Sequence, residues 1–214
     1  MPPDAHTAQD APTDPAASPE APGPGGHRAD DPPANTPAAL PPPTRRSVWT
    51  PREKLVRLLW NTLARGVWIL LPPARASLLR LFGGRCGSGC VLPRDCELTI
   101  PWHITLGQRV RLGRRSILYS LGPITVGDDS LIDDRAHLCA GTHDMTDSRF
   151  PLLKPPITVG ARCLIGIDAY IGPWVELGDD CRVWPRASVY KPAQAGARLR
   201  GNPAKPVAHP ADDA

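Results

Sequence analysis

The N-terminus of this chain has neither a basic start nor an apolar core, so a secretory signal is not expected. Bilayer-length apolar runs are missing too. The run over residues 67–71 is far short of the roughly 20 residues that a span needs. No zinc-finger spacing occurs, and no basic stretch is interleaved with stacking aromatics, which sets nucleic acid aside as a partner. The six cysteines (Cys86, Cys90, Cys96, Cys139, Cys163 and Cys181) are accordingly read as reduced cytosolic thiols rather than a disulfide set. Cys86 and Cys90 are close, but no second Cys/His pair follows at zinc-finger distance, so no metal is expected there.

Residues 1–43 hold 13 of the 28 prolines and almost nothing bulky and apolar. Such a segment cannot bury enough surface to offset the entropy of ordering it, so a disordered tail is expected over residues 1–46. Residues 1–43 carry six acids against one base, a charge of −5 within a chain total of +4, which leaves residues 44–214 near +9. That excess suits an anionic small molecule or a phosphorylated lipid surface.

Residues 47–85 read as helical. Thr50, Pro51 and Glu53 make a capping box with proline at the first helical position. Leu55, Leu58, Leu59, Leu63, Val67 and Leu70 recur at spacings of three and four, and Pro72–Pro73 end the pattern. A second helix is expected in "ARASLLRLFGG". Two readings fit: the helices cover the open end of the next domain, or they lie as a basic amphipathic surface on anionic lipid, which Trp60 and Trp68 would favour.

From Val159 onward an aliphatic recurs every six residues: Val159, Ile165, Ile171, Leu177, Val183 and Val189, with glycine after the first four. A companion series lies two residues before each later beat: Cys163, Ala169, Val175, Cys181 and Ala187. The same beat runs through Ile100, Leu106, Leu112 and Leu118 and, after a two-residue slip, Val126, Ile132 and Leu138. A period of six would scatter aliphatics around a helix, and it is no simple alternating strand. It belongs to a parallel β-helix in which each hexad supplies one short strand and one corner. The glycines are expected to relieve backbone strain at the corners, and Cys163 and Cys181 to stack as interior fillers.

The [aliphatic]-Gly-x4 pattern resembles the hexapeptide-repeat acyltransferases, whose fold is a left-handed parallel β-helix. "RLFGGRCGSGCVLPRDCELTIPWHITLG", "LYSLGPITVG", "LCAGTHD" and "RGNPAKPV", in that order, are similar to the colanic-acid-type acetyltransferases of bacterial polysaccharide assembly. The resemblance covers about residues 78–207. It implies an all-β solenoid over residues 86–208, an O-acetyltransferase using acetyl-CoA, a free or lipid-linked sugar acceptor, and a cytoplasmic homotrimer with active sites between subunits. A peripheral membrane contact is compatible with it.

The beat fails between Leu138 and Val159, 21 residues apart, and the surplus suits a loop over about residues 143–157. It opens at His143. A histidine on a rigid rim can take a proton near neutral pH, as acyl transfer requires, and the resemblance makes His143 the general base. Asp144 could orient the imidazole, bind acceptor hydroxyls or cap the loop. Cys139 as a thiol nucleophile is a competing mechanism.

For the coenzyme, backbone donors are expected from Gly166, Ala169 and the stretch before Val189. The terminal turn Arg200, Gly201, Asn202, Pro203, Ala204 and Lys205 resembles the family's coenzyme-binding turn, and Lys191 matches a coenzyme lysine. Leu164, Trp184, Pro185 and Ala208 depart from the family pattern, which leaves the adenine end differently held or another acyl donor accepted. Two other classes compete: a γ-class carbonic-anhydrase-like metalloenzyme, which lacks a convincing third histidine, and a non-catalytic scaffold, which would not bind coenzyme A.

Overall fold

The computed structural model describes residues 49–208, and the expected tail over 1–46 lies outside the described residues. The chain enters through helix α1 (Pro51–Leu59), capped by Thr50 and Glu53 in the reciprocal pattern its sequence predicts. A π-helical turn (Trp60–Ala64) leads into α2 (Arg65–Leu70), and after the proline break comes α3 (Arg75–Leu81). These helices close the first coil of a solenoid. Trp60, Ala64, Trp68 and Leu79 are buried in the same apolar cluster as the coils. The indole N–H of Trp60 donates to the Leu98 carbonyl at 2.8 Å, and that of Trp68 to the Pro93 carbonyl at 3.1 Å.

The docked stripe is therefore not the leucine series. Leu55, Leu58, Leu59, Leu63, Val67 and Leu70 are all exposed. Both sides of the helix are apolar, and the side with ring N–H groups matched to carbonyls of the coil is the one that docks. The two tryptophans, held inward, cannot serve a lipid surface.

The solenoid has three parallel sheets of five, six and five strands, the six-stranded one ending in an antiparallel strand (Lys205–Pro206). Inward aliphatics stack in register along each sheet. In the first sheet Leu106 lies against Val126, Val159 and Leu177; in the second, Leu112 against Ile132, Ile165, Val183 and Leu199; in the third, Leu98 against Leu118, Leu138, Ile171 and Val189. Cys163, Ala169, Val175, Cys181 and Ala187 are buried, as the companion series predicts. Burial pushes the Cys163 thiol up to about 11, which makes it an inert filler.

The glycines after each beat serve close approach rather than strain relief. A Cβ on Gly160 would sit 2.6 Å from the Asp179 amide nitrogen and 2.6 Å from the Gly178 carbonyl carbon. The left-handed backbone falls two residues later, on Arg109, Asp129, Arg162 and Asp180 at one corner and on Arg115, Arg135, Asp168 and Arg186 at the next. Charges of opposite sign face each other along these corners: Arg109 with Asp129, Arg135 with Asp168, Arg162 with Asp180. Gly160→Ala should therefore cost about 1–3 kcal/mol of stability, since only backbone could move aside. Gly66→Ala, with nothing within 4 Å of the new methyl, should gain up to about 1 kcal/mol. Chemical denaturation of both variants checks the contrast.

All surplus residues leave by one corner, where the third sheet returns to the first. Leu98 and Leu106 are eight apart, Leu118 and Val126 eight, and Leu138 and Val159 21, while Ile171 and Leu177 keep the basic six. The two-residue slip and the long interruption thus belong to the same edge of the prism.

Candidate active site

Along that return corner the excursions are stacked. The first carries Trp102 and His103, whose Nδ1 is 2.9 Å from the Ser120 carbonyl of the second excursion. The second is pinned to the third: the Gly122 amide donates to the Ala140 carbonyl at 2.7 Å, and Gly122 lies against the backbone of Lys154 and Pro155. On the outer side Lys154 places its ammonium 3.9 Å from the centre of the Trp49 ring.

The third excursion is a hairpin. Thr142–His143 pairs antiparallel with Leu152–Leu153, with His143 opposite Leu152. His143 is exposed, and its Nδ1 lies 2.8 Å from the Phe150 carbonyl. A carbonyl can only accept, so Nδ1 carries the proton and Nε2 presents its lone pair outward. The Phe150 ring lies 5.6 Å from the imidazole, tilted by 32°.

Asp144 does not orient that ring. Its Oδ1 accepts from the Thr146 amide at 2.9 Å and the Thr146 hydroxyl at 2.6 Å, and these bonds hold its carboxyl below the usual range. Asp147 accepts from the Arg149 amide and guanidinium in the same manner. Two local turns therefore stiffen the hairpin tip beneath Phe150. The Cys139 thiol is directed at the Gly141 carbonyl, 3.3 Å away.

His137 faces outward from the third sheet between Tyr119 and Tyr170, with ring centres 6.4 and 5.5 Å away. Its Nε2 is buried and has no hydrogen-bond partner among the described residues. Burial lowers its pKa from the ordinary 6.5. Between the lowered value and 6.5 the unfolded chain binds more protons than the folded one, so stability falls as pH drops through that window and is level above it. His137→Phe should flatten the decline in melting temperature below pH 6.5, as a pH series of thermal melts would show.

Gly166 and Ala169 do not offer backbone donors. The Gly166 amide bonds the Val183 carbonyl and the Ala169 amide bonds the Gly166 carbonyl, while the Ala169 methyl is fully buried. The terminal turn is firmly placed. Gly201, at φ +95°, reverses the chain so that Arg200 lies opposite Lys205. The Ser188 amide donates to the Gly201 carbonyl at 2.9 Å and its carbonyl accepts from Ala204 at 2.8 Å. Asn202 and Pro203 form the exposed tip. Arg182, which the sequence does not single out, lies in register beside Arg198 and enlarges the basic area.

Lys191 is exposed on the return corner that also carries His143. Between them lies Trp174, also unremarked in the sequence. It is 55% exposed, has a left-handed backbone at φ 60°, and its amide donates to the Pro156 carbonyl at the foot of the hairpin. A bulky side chain in that conformation is uncommon, and the visible signal was tryptophan at a hexad position that elsewhere takes Arg or Asp. Among the described residues, no group of three His, Cys, Asp or Glu side chains is placed to hold a metal ion.

Two family descriptions match this chain: bacterial transferase hexapeptide (six repeats) over residues 156–191, and hexapeptide repeat of succinyl-transferase over residues 103–133. The chain is 40% identical over 130 residues to the Escherichia coli K12 protein named colanic acid biosynthesis acetyltransferase WcaF, covering 61% of this chain and 71% of that protein. A hexapeptide-repeat acetyltransferase of Vibrio cholerae, solved with acetyl coenzyme A, superposes with a TM-score of 0.69 at 19% identity, over 74% of this chain and 89% of that one. A maltose O-acetyltransferase of Clostridium difficile 630 gives 0.67 at 17% identity, over 74% and 88%. At these identities the two solved structures establish the shared fold.

Proposed function

The chain belongs to the colanic-acid-type acetyltransferases of the hexapeptide-repeat acyltransferases, and from that premise we propose that it moves an acetyl group from acetyl-CoA to a sugar hydroxyl, with His143 as general base. The observation that carries this reading is the bond from His143 Nδ1 to the Phe150 carbonyl, 2.8 Å long, which leaves Nε2 basic and exposed on the hairpin. A sugar hydroxyl is a weak nucleophile until its proton is removed. Nε2 takes that proton as the oxygen attacks the thioester carbonyl. An oxygen–carbon bond forms, the carbon–sulfur bond then breaks, and the proton passes from Nε2 to the departing thiolate. The Phe150 carbonyl supports the imidazolium while it exists.

Acetyl-CoA is the donor held by the fold-related Vibrio cholerae enzyme. In this chain Lys191, Arg200 and Lys205 are exposed cations suited to its phosphates, with Gly201, Asn202, Pro203 and Ala204 shaping the turn that carries two of them. The relative's name, colanic acid biosynthesis, supports a polysaccharide intermediate, free or lipid-linked, as acceptor. Asp144 serves the site by fixing the hairpin tip. The functional unit is a cytoplasmic trimer in which each acceptor site lies between two subunits. A short solenoid with exposed aromatic faces gives the physical reason to associate.

The combined substitutions Lys191→Gln, Arg200→Gln and Lys205→Gln test the donor site. They should raise KM for acetyl-CoA at least roughly tenfold, with kcat changed by no more than about twofold. An unchanged KM, or no effect of acetyl-CoA on the wild-type melting temperature, contradicts the reading.

A further inference from the structure

The helical segment is apolar on two opposite sides, and the coils use only one. The unused side presents Leu55, Leu58 (59% exposed), Leu63 (70%), Ile69 and Leu70 (77%) to solvent. Contiguous apolar area of this kind on a surface helix marks an interaction site.

Its charge narrows the occupant. Between Thr50 and Phe82 the single acid is Glu53, which is bonded into the capping box with Thr50. Of the bases there, Arg57 lies over Trp49, while Arg75 and Arg80 donate to carbonyls of the first coil. Arg52, Lys54 and Arg65 are exposed. Within α1, at 100° per residue, Lys54 falls along one edge of the leucine stripe and Arg52 along the other, while Arg65, past the π-helical turn, lies beside Cys96 of the first coil.

Leucines rimmed by cations without acids complement an anionic bilayer surface, with alkyl groups at the acyl boundary and ammonium and guanidinium groups at the phosphates. A second copy seated face to face on this stripe across a two-fold axis would bring the same cations against each other. Residues 1–48 contain only Met1, Leu40 and Val48 as bulky apolar side chains, too few to complement the stripe. No helix among the described residues is long and apolar enough to cross a membrane.

We infer that the leucine face of residues 51–71 seats this enzyme on an anionic membrane surface. The seat is separate from acyl transfer chemistry and stands or falls without it.

The test is flotation of the full-length protein with vesicles of phosphatidylcholine alone and of phosphatidylcholine mixed with phosphatidylglycerol. Wild-type protein should float with the mixed vesicles and be partly released by salt. Leu58→Glu with Leu63→Glu should weaken partitioning on the order of a hundredfold. Lys54→Gln with Arg52→Gln should weaken it roughly tenfold or more and abolish the preference for the anionic vesicles. All four side chains are exposed, so melting temperature and its shift with acetyl-CoA should stay as in wild type, which excludes misfolding as the cause. Failure of wild-type protein to float with either vesicle overturns the inference. So does equal flotation of the leucine variant. A wild-type oligomer that falls apart on the leucine substitutions, without vesicle binding, assigns the face to a second copy and overturns it as well.

Discussion

His143→Ala should lower acetyl transfer by about 10²–10⁴-fold while leaving the melting temperature and acetyl-CoA binding as in wild type. The size follows from what the residue supplies. Without a base, the hydroxyl must attack with its proton in place, and the thiolate must leave without a local proton donor. The selectivity follows from where it sits. His143 is exposed on a two-residue strand of an excursion, outside the stacked aliphatics, and among the described residues its ring hydrogen-bonds only the hairpin's own Phe150 carbonyl. Removing the ring takes away a base and one local bond but no core contact. Asp144→Asn gives the contrasting result. An amide oxygen can still accept from the Thr146 amide and hydroxyl, which Asp144 Oδ1 does now at 2.9 and 2.6 Å, so transfer should fall far less than in His143→Ala. Steady-state rates with acetyl-CoA and thermal melts of both variants decide the matter.

Trp60→Ala should be the most damaging change in the helical segment, costing about 3–5 kcal/mol, whereas Leu63→Ala should stay within about 0.5 kcal/mol. The first removes a side chain that is only 7% exposed, packs edge-to-face on Trp68 and Phe82, and donates 2.8 Å to the Leu98 carbonyl. It leaves a cavity over the first coil and strands a carbonyl. The second trims a side chain that touches solvent. In thermal melts the difference should be on the order of 10 °C. Equal losses would mean that the leucine side, rather than the tryptophan side, meets the solenoid.

That pair also shows where the sequence stops being readable. Leucines at 55, 58, 59, 63 and 70 and the series Trp60, Ala64, Trp68 both satisfy helical spacing, so periodicity cannot choose between them. The choice depends on acceptors supplied from residues 93 and 98, which only the folded coil positions. The solenoid itself was legible, because a six-residue beat of Val, Ile and Leu has one physical use, and the register of Val159, Leu177 and their partners realises it. Its glycines were legible in position but not in purpose. The left-handed corners went to Arg and Asp, whose opposite charges meet only across residues 18 to 33 apart in sequence.

The site divides in the same way. His143 announced itself through the break in the beat, a local signal. The Ala169 amide is spent on a local turn to the Gly166 carbonyl, whereas the unavailability of the Gly166 amide depends on pairing between coils. So does the placing of Trp174 on the edge that carries both His143 and Lys191. Asp144 stood open among three roles because adjacent residues on an extended strand can point either way. The loop geometry that ties it to Thr146 is set by the return of the chain at Phe150 and Pro151.

The most direct test of the account is mass spectrometry of lipid-linked and free oligosaccharide intermediates of cell-envelope polysaccharide after incubation with acetyl-CoA and either wild-type protein or His143→Ala. The account predicts that wild type adds an acetyl group to an intermediate as an ester that hydroxylamine removes, and that the variant adds essentially none. An ester formed equally well by the variant, or an acetyl group that resists hydroxylamine because it sits on nitrogen, would contradict it.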